Sequence, residues 1–280
     1  MLTDLRPSPI AGQWYEGRPE QLARTVDGYI ERASLPELPG PVVAVIAPHA
    51  GHIYSGPVAG FAFAALKGLT PDLVAVVSPM HHAYSHPLIT TTHSAYATPL
   101  GPITVDKDAV NALDRILHEK LGFGLSPVQR DPEHSLEIEL PFLQRALAAP
   151  FKLLPVMVRR QAPEVSRQLG LALAEVLHGR NALLVASTDL SHFYDQQTAN
   201  RLDAAMLEQV AAFSPEGAFE IEMQGKGEAC GLGALAAVMW AAQALGADSA
   251  RVLKHATSGD VTRDFHSVVG YGAAVLCKST

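Results

Sequence analysis

Apolar residues fall into two kinds of pattern along this chain. Short runs without alternation occur at Val42–Ala47, Leu73–Ser78, Leu153–Val158, Leu183–Ser187 and Val268–Leu276, with weaker ones at Leu88–Thr92 and Arg251–Thr257. A strand that is apolar at every position is one covered on both faces. Between these runs lie stretches with apolar residues three and four apart, at Glu20–Ala33, Val58–Leu66, Ala109–Leu117, Glu133–Leu147, Pro163–His178, Gln197–Phe213 and Leu232–Leu245. That spacing gathers the apolar groups on one face of a helix. Strand and helix patterns alternate, which predicts an α/β fold with a mainly parallel or mixed central sheet flanked by helices. No linker, charge run or fixed-period repeat interrupts the alternation, so residues 1–280 are expected to form one domain.

Composition narrows the possible partners. At 48% hydrophobic over 280 residues, the chain can fill a sizeable core. A net charge of −7, with no basic block beyond the Arg159-Arg160 pair, argues against nucleic acid or an anionic membrane as partner. No run of about 18 apolar residues is present to span a bilayer. The opening Met1-Leu-Thr-Asp-Leu-Arg-Pro7 lacks the charged-then-apolar order of a signal peptide. Two cysteines, Cys230 and Cys277, are too few for a disulfide scaffold. A reduced, cytoplasmic protein is the expectation, with Cys277 a buried thiol in the last apolar run.

Three of the strand-like runs end alike. Val42–Ala47 leads into Pro48-His49-Ala50-Gly51-His52, Leu73–Ser78 into Pro79-Met80-His81-His82, and Leu183–Ser187 into Thr188-Asp189-Leu190-Ser191-His192. Ligands in α/β sheets bind just beyond the carboxyl ends of strands. One histidine at a strand end is ordinarily a packing residue; three at equivalent ends point to a shared site if the strands are neighbours. Imidazole is both the commonest transition-metal ligand and the usual acid or base near neutral pH.

Two imidazoles leave a redox-metal site incomplete, and the segment Gly225–Gly233 offers Glu228 or Cys230 as a further donor, just before an apolar helix. A thiolate at Cys230 would be favoured by the helix N-terminus and by a metal, and should become reactive once metal is removed. Cys230 equally fits a small residue packed at a helix start. Asp131-Pro-Glu-His134-Ser-Leu-Glu137 reads as a helix start with Asp131 as cap and Pro132 first; the alternative turns His134 or Glu137 towards the site. Pro141 implies a kink or break in that helix. Gly231-Leu-Gly233-Ala-Leu-Ala236 imitates a dinucleotide fingerprint but follows no strand. Asp189 reads as a turn residue or as a partner of the ligands.

These segments together resemble the Memo family, known in microbes as AmmeMemoRadiSam system protein B. The resemblance rests on Ala47-Pro-His-Ala-Gly-His-Ile-Tyr-Ser-Gly56, Pro79-Met-His-His82, Glu133-His-Ser-Leu-Glu137, Ser187-Thr-Asp-Leu-Ser-His192 and Ala229-Cys-Gly231. Ala11-Gly-Gln-Trp-Tyr15, Ser258-Gly-Asp260 and Val269-Gly-Tyr271 extend it over nearly the whole chain. It implies a fold like that of class III extradiol dioxygenases, which open catechol rings with non-haem Fe(II) and O₂. On that likeness His49 and His81 match the two histidine ligands, His192 the acid–base histidine, and Cys230 the third ligand, where the dioxygenases have a carboxylate. Thiolate is softer and can itself be oxidised, so catechol chemistry does not simply carry over.

Two functions of different class follow. One is a metal-dependent oxidoreductase with Fe(II), or zinc or copper, on His49, His81 and Cys230. The other is an accessory protein that takes a small molecule, peptide or protein partner in the same pocket. Trp14, Tyr15, His52, Tyr54, His82, His134 and Asp189 are the expected lining.

Overall fold

The computed structural model describes residues 4–279, so the first three residues of the N-terminal stretch lie outside it. In chain order the elements are β1 (Leu5–Arg6), α1 (Pro19–Arg32), β2 (Val42–Ala47), α2 (His52–Ala64), β3 (Leu73–Pro79), β4 (Leu88–Thr91), β5 (Ala95–Tyr96) and β6 (Ile103–Thr104). There follow α3 (Lys107–Leu121), β7 (Ser126–Val128), a 3-10 turn at Glu137–Glu139, α4 (Leu140–Ala146), β8 (Lys152–Val158), α5 (Pro163–Leu177) and β9 (Ala182–Ser187). The chain ends with β10 (His192–Tyr194), α6 (Gln196–Ala211), α7 (Pro215–Met223), α8 (Leu232–Ala244), β11 (Ser249–Thr257), α9 (Gly259–Thr262) and β12 (Val268–Cys277).

Four strands, β2, β9, β3 and β8, lie side by side and parallel at the centre of the main sheet. They are the runs that are apolar at every position, and all but their first residues are buried. Antiparallel strands close both sides: β12 on β2, and β4 on β8, with β7 beyond. The sheet is therefore mixed around a parallel core. Strands β10 and β11 pair with β12, while β1, β5 and β6 form a small separate sheet.

Helix α8 packs on the parallel strands, and α5 packs on α8. This sandwiching explains why α8 is apolar all round: every residue from Leu232 to Ala242 is buried. Cys277 is fully buried in β12, as its apolar surroundings predict.

The structure departs from the sequence pattern at two helices. Helix α2 begins at His52, six residues before the expected start, and carries Pro57 inside. The helical stretch from Glu133 to Leu147, expected to kink or break at Pro141, is an irregular segment, a 3-10 turn and then the short α4, which begins at Leu140. Asp131 does not cap a helix. Its carboxylate takes the Arg6 guanidinium and the Glu133 N–H instead. Helix α7 and the strands of two or three residues carry too little periodicity to be read from sequence.

The contact of α5 with α8 yields a test. A Cβ on Gly170 would meet the Ala237 carbonyl oxygen at 2.5 Å, a backbone atom that cannot step aside. Gly170→Ala should destabilise the fold by about 1–3 kcal/mol. At Gly28 a Cβ meets only the flexible guanidinium of Arg32. Gly28→Ala in α1 should be neutral, or stabilising by up to about 1 kcal/mol. Urea unfolding of both variants checks this, and equal effects would contradict the packing argument.

Candidate metal centre

The parallel strands stop together. Ala47 pairs with Ser187, Val77 with Ala186, and Pro79 with Val158, so the loops after β2, β9, β3 and β8 leave one edge of the sheet. His49 follows β2, His81 follows β3 and Asp189 follows β9. Cys230 arrives from the turn before α8. Its N–H donates to the Asp189 carbonyl at 3.2 Å, and Gln161 Nε2, past β8, donates to its carbonyl at 2.6 Å. Ligand atoms of His49, His81 and Cys230 all lie within 4.8 Å of one another, and His49 Nε2 is 3.2 Å from Cys230 Sγ.

Both imidazoles of this cluster are tied back through Nδ1. Glu133 Oε1 takes His81 Nδ1 at 2.9 Å, and its other oxygen accepts the His81 N–H at 2.6 Å. The N–H groups of His134 and Ser135 also donate to Glu133, each at 3.0 Å. Burial alone would raise the Glu133 pKa, but the His81 hydrogen bond and the other donors hold it well below the usual carboxylate range. A carboxylate only accepts, so His81 carries its proton on Nδ1 and leaves Nε2 free. His49 Nδ1 contacts Ser187 Oγ at 2.9 Å. Burial, reinforced by the nearby His134 and His81, keeps His49 neutral, with its pKa well below the ordinary value.

Asp189 is buried, and its carboxylate accepts the His49 N–H at 2.7 Å, which pins the loop after β2. Burial pushes its pKa up to about 7, against the hydrogen bonds from the backbone of His49 and Ala50. Cys230 corrects one expectation. Burial first, and then Asp189, raise its thiol well above the ordinary value, although the Asp189 N–H donates to the sulfur at 3.3 Å. Without a cation, Cys230 is a protonated thiol rather than a reactive thiolate. The helix N-terminus by itself does not ionise it.

His134 lies against the cluster, its ring stacked on His81 at 4.9 Å and 4.1 Å from Trp14. Burial lowers its pKa to about 4. His192 is half-buried and near enough for its charge to bear on His49 and His81. Its Nδ1 donates to the Leu190 carbonyl at 2.8 Å, leaving Nε2 as a free base, and burial lowers its pKa. Glu228 stays out of the donor cluster, 3.7 Å from His192 Nδ1.

Trp14 and Tyr54 line a groove of about 440 Å³ together with Ile53, Phe193, Val269 and Tyr271. Phe193, next to His192, holds a left-handed φ of 64° and stands exposed. Of the other expected lining residues, His134 and Asp189 stand at the donor cluster, while His82, His52 and Tyr15 sit apart from it. His82 is exposed on the turn after His81. His52 is buried, its Nε2 3.0 Å from the Ile138 carbonyl and its ring 4.8 Å from Phe142. Tyr15 is buried too, donating to Glu137 at 2.7 Å. Sequence reasoning missed Glu133, Ser187, Glu139 and Arg6 as parts of the site. The one available signal was the crowding of acids into Glu133–Glu139, a segment otherwise patterned as a buried helix.

An α/β protein that gathers two imidazoles and a thiol at the carboxyl ends of parallel strands has a group of soft and borderline donors that could hold a cation. The family profile described as Memo-like protein matches residues 6–275. A MEMO1 family protein of Thermotoga neapolitana is 35% identical over 283 residues, covering 97% of this chain and 99% of that protein. Those of Methanopyrus kandleri and Nitrosopumilus maritimus are 34% and 33% identical, over 97% and 96% of this chain and 98% of each relative. The chain belongs to the Memo family. Among the described residues, no helix is long and apolar enough to cross a membrane.

His52 supplies a pH test away from the donor cluster. Burial lowers its pKa to about 4. The unfolded chain, with His near 6.5, therefore takes up a proton that the folded protein refuses. Its stabilising contribution is complete above pH 6.5 and is lost as pH falls towards 4. Asp189 works the other way: with its pKa raised from 3.8 to about 7, its stabilising contribution is complete below 3.8 and is lost as pH rises to about 7. Comparing wild type with His52→Gln cancels that opposing effect. Between pH 6.5 and 4.5 the wild type should lose about 2 kcal/mol more unfolding free energy than the variant. Parallel pH profiles from chemical denaturation would show that His52 does not resist protonation.

Proposed function

We propose that this protein is a metal-dependent oxidoreductase of the non-haem iron type. His49 Nε2, His81 Nε2 and Cys230 Sγ would hold one Fe(II), and His192 would move a proton at its free Nε2. The supporting observation is the cluster of three ligand atoms within 4.8 Å, with both imidazoles tied back through Nδ1. Two nitrogens and a sulfur suit iron, zinc or copper, and three protein donors leave coordination positions open. When bound, the cation supplies Lewis acidity and a place for O₂ and substrate to meet. The chain's own residues do the rest. Glu133 and Ser187 orient the imidazoles, and the Asp189 N–H donates to the sulfur. Trp14, Tyr54 and Phe193 offer apolar faces to a planar substrate. A thiolate ligand also requires a reducing compartment, which favours the cytoplasm.

A second reading is favoured by the exposure of Trp14, Tyr54 and Phe193, at 38%, 41% and 74%. Large exposed aromatics beside a groove also mark sites where peptides or protein partners bind. The Memo-family chain would then be an accessory protein, with the cation structural.

Metal analysis of protein purified without oxygen, followed by O₂ uptake with a reductant, separates the two. The first reading expects close to one iron per chain, and slow O₂ consumption that Cys230→Ser and His81→Ala abolish. Stoichiometric zinc with no O₂ uptake would leave the accessory reading in its place. Glu133→Gln, which cannot accept the same donors, should weaken cation binding about 10- to 100-fold with the fold intact. Unchanged affinity in a chelator competition would remove Glu133 from the site.

A further inference from the structure

Ser187 Oγ makes three short contacts at the end of β9. His49 Nδ1 is at 2.9 Å, the Ser135 carbonyl oxygen at 2.7 Å and Glu139 Oε1 at 2.7 Å. A hydroxyl has one proton to give and two lone pairs. The Ser135 carbonyl can only accept, so the Ser187 proton goes there. The other two contacts must then bring protons of their own to Ser187 Oγ. His49 Nδ1 is an N–H, and Glu139 Oε1 is an O–H.

We propose that Glu139 is a positioning residue, a buried carboxylic acid kept protonated, which acts through Ser187 to fix His49 in the tautomer that directs its Nε2 lone pair towards Cys230 and the cation.

Three further observations agree. Glu139 is fully buried, and among the described residues its second oxygen, Oε2, has no hydrogen-bond partner. An unpartnered oxygen is costly on a carboxylate and far less so on the carbonyl of a neutral acid. Burial also raises the Glu139 pKa well above the ordinary value, although the Ser187 contact opposes it. Lastly, His49 Nε2 faces Cys230 Sγ at 3.2 Å, the side on which the proposed cation would sit and where a lone pair rather than a proton is required. The opposite placement, with Ser187 donating to His49, would put a proton on Nε2 facing that thiol. It would also leave Ser187 and the Ser135 carbonyl as two lone-pair oxygens 2.7 Å apart.

Glu133 shows the contrast. Four protein donors surround it and it is ionised. Among the described residues the Glu139 carboxyl has one hydrogen-bond contact, to a hydroxyl whose proton is already committed. Two glutamates six residues apart thus orient the two imidazoles from opposite protonation states, Glu133 as a direct acceptor and Glu139 as a donor through Ser187.

The inference rests on the metal-centre reading for its purpose, but the proton and the tautomer belong to the metal-free protein and are measured there. Infrared difference spectra between wild type and Glu139→Gln at neutral pH should show a protonated-carboxyl carbonyl band that the variant lacks. Histidine ¹⁵N spectra should place the His49 proton on Nδ1 in both, since the Gln amide can donate to Ser187 as the acid does. Zn(II) affinity of Glu139→Gln should stay within about threefold of wild type, whereas Glu139→Leu or Ser187→Ala should lose about tenfold or more. If those two fail to fold, the spectra of wild type and Glu139→Gln decide alone. Absence of the band, or a proton on His49 Nε2, overturns the proposal even if Zn(II) binds tightly. Failure of wild type to bind Zn(II) or Fe(II) would sink the metal reading instead, while the band and tautomer would still decide the role of Glu139.

Discussion

The arrangement depends first on one buried cation. Arg6, from β1, lies almost wholly inside the protein, where a lone charge would be severely penalised. Its guanidinium takes both oxygens of Asp131, at 2.6 Å and 3.0 Å, then Glu137 Oε2 at 2.5 Å and the Glu133 carbonyl at 2.7 Å. Burial works against its charge, but Asp131 and then Glu137 more than restore it. Satisfying Arg6 this way commits the backbone from Asp131 to Glu137 to an irregular path. That path sets Glu133 beneath His81 and, six residues on, Glu139 beneath Ser187. A regular helix here would have left Arg6 without its carboxylates and turned Glu133 away from His81.

With that segment fixed, the site becomes a problem of proton placement. The imidazoles come from strand ends, which set where the rings can lie but not which nitrogen is free. Hydrogen bonds behind them make that choice. His81 is set by an ionised acceptor, and His192 by the Leu190 carbonyl. The thiol is different, because the interior holds its proton until a cation replaces it. A metal ion held by these three groups would have to displace that proton, and its affinity would then be coupled to pH by the sulfur as well as by the imidazoles.

The groove adds a second property. Trp14 joins it to the donor cluster, lining the groove while its ring lies against His134, which is itself stacked on His81. A molecule seated on Trp14 would be within two ring contacts of the His81 imidazole. The loops after β2, β9 and β8 stay close-packed around this point. Asp189 ties the β2 loop, and Gln161 ties the turn carrying Cys230.

Much of this was determined by the sequence alone. Uninterrupted Val, Ile and Leu runs specify strands buried on both faces, and the five strong ones end within a residue or two of β2, β3, β8, β9 and β12. His49 and His81 stand out because a strand end is where an α/β sheet presents groups to a ligand. Tertiary structure decided the rest. Strand order brings β9 between β2 and β3, and no local pattern encodes which parallel strands are neighbours. Cys230 meets His49 across 181 residues of chain. The segment Glu133–Glu139 has the periodicity of a buried helix, yet it follows an irregular path on which it meets Arg6, more than a hundred residues earlier, together with His81 and Ser187. His52 shares a motif with His49 yet turns into the core, because α2 begins there and carries its ring against Phe142. Local apolar period fixes which segments become strands and helices. Which polar group faces which is settled only when distant segments must satisfy one another's charges and protons away from water.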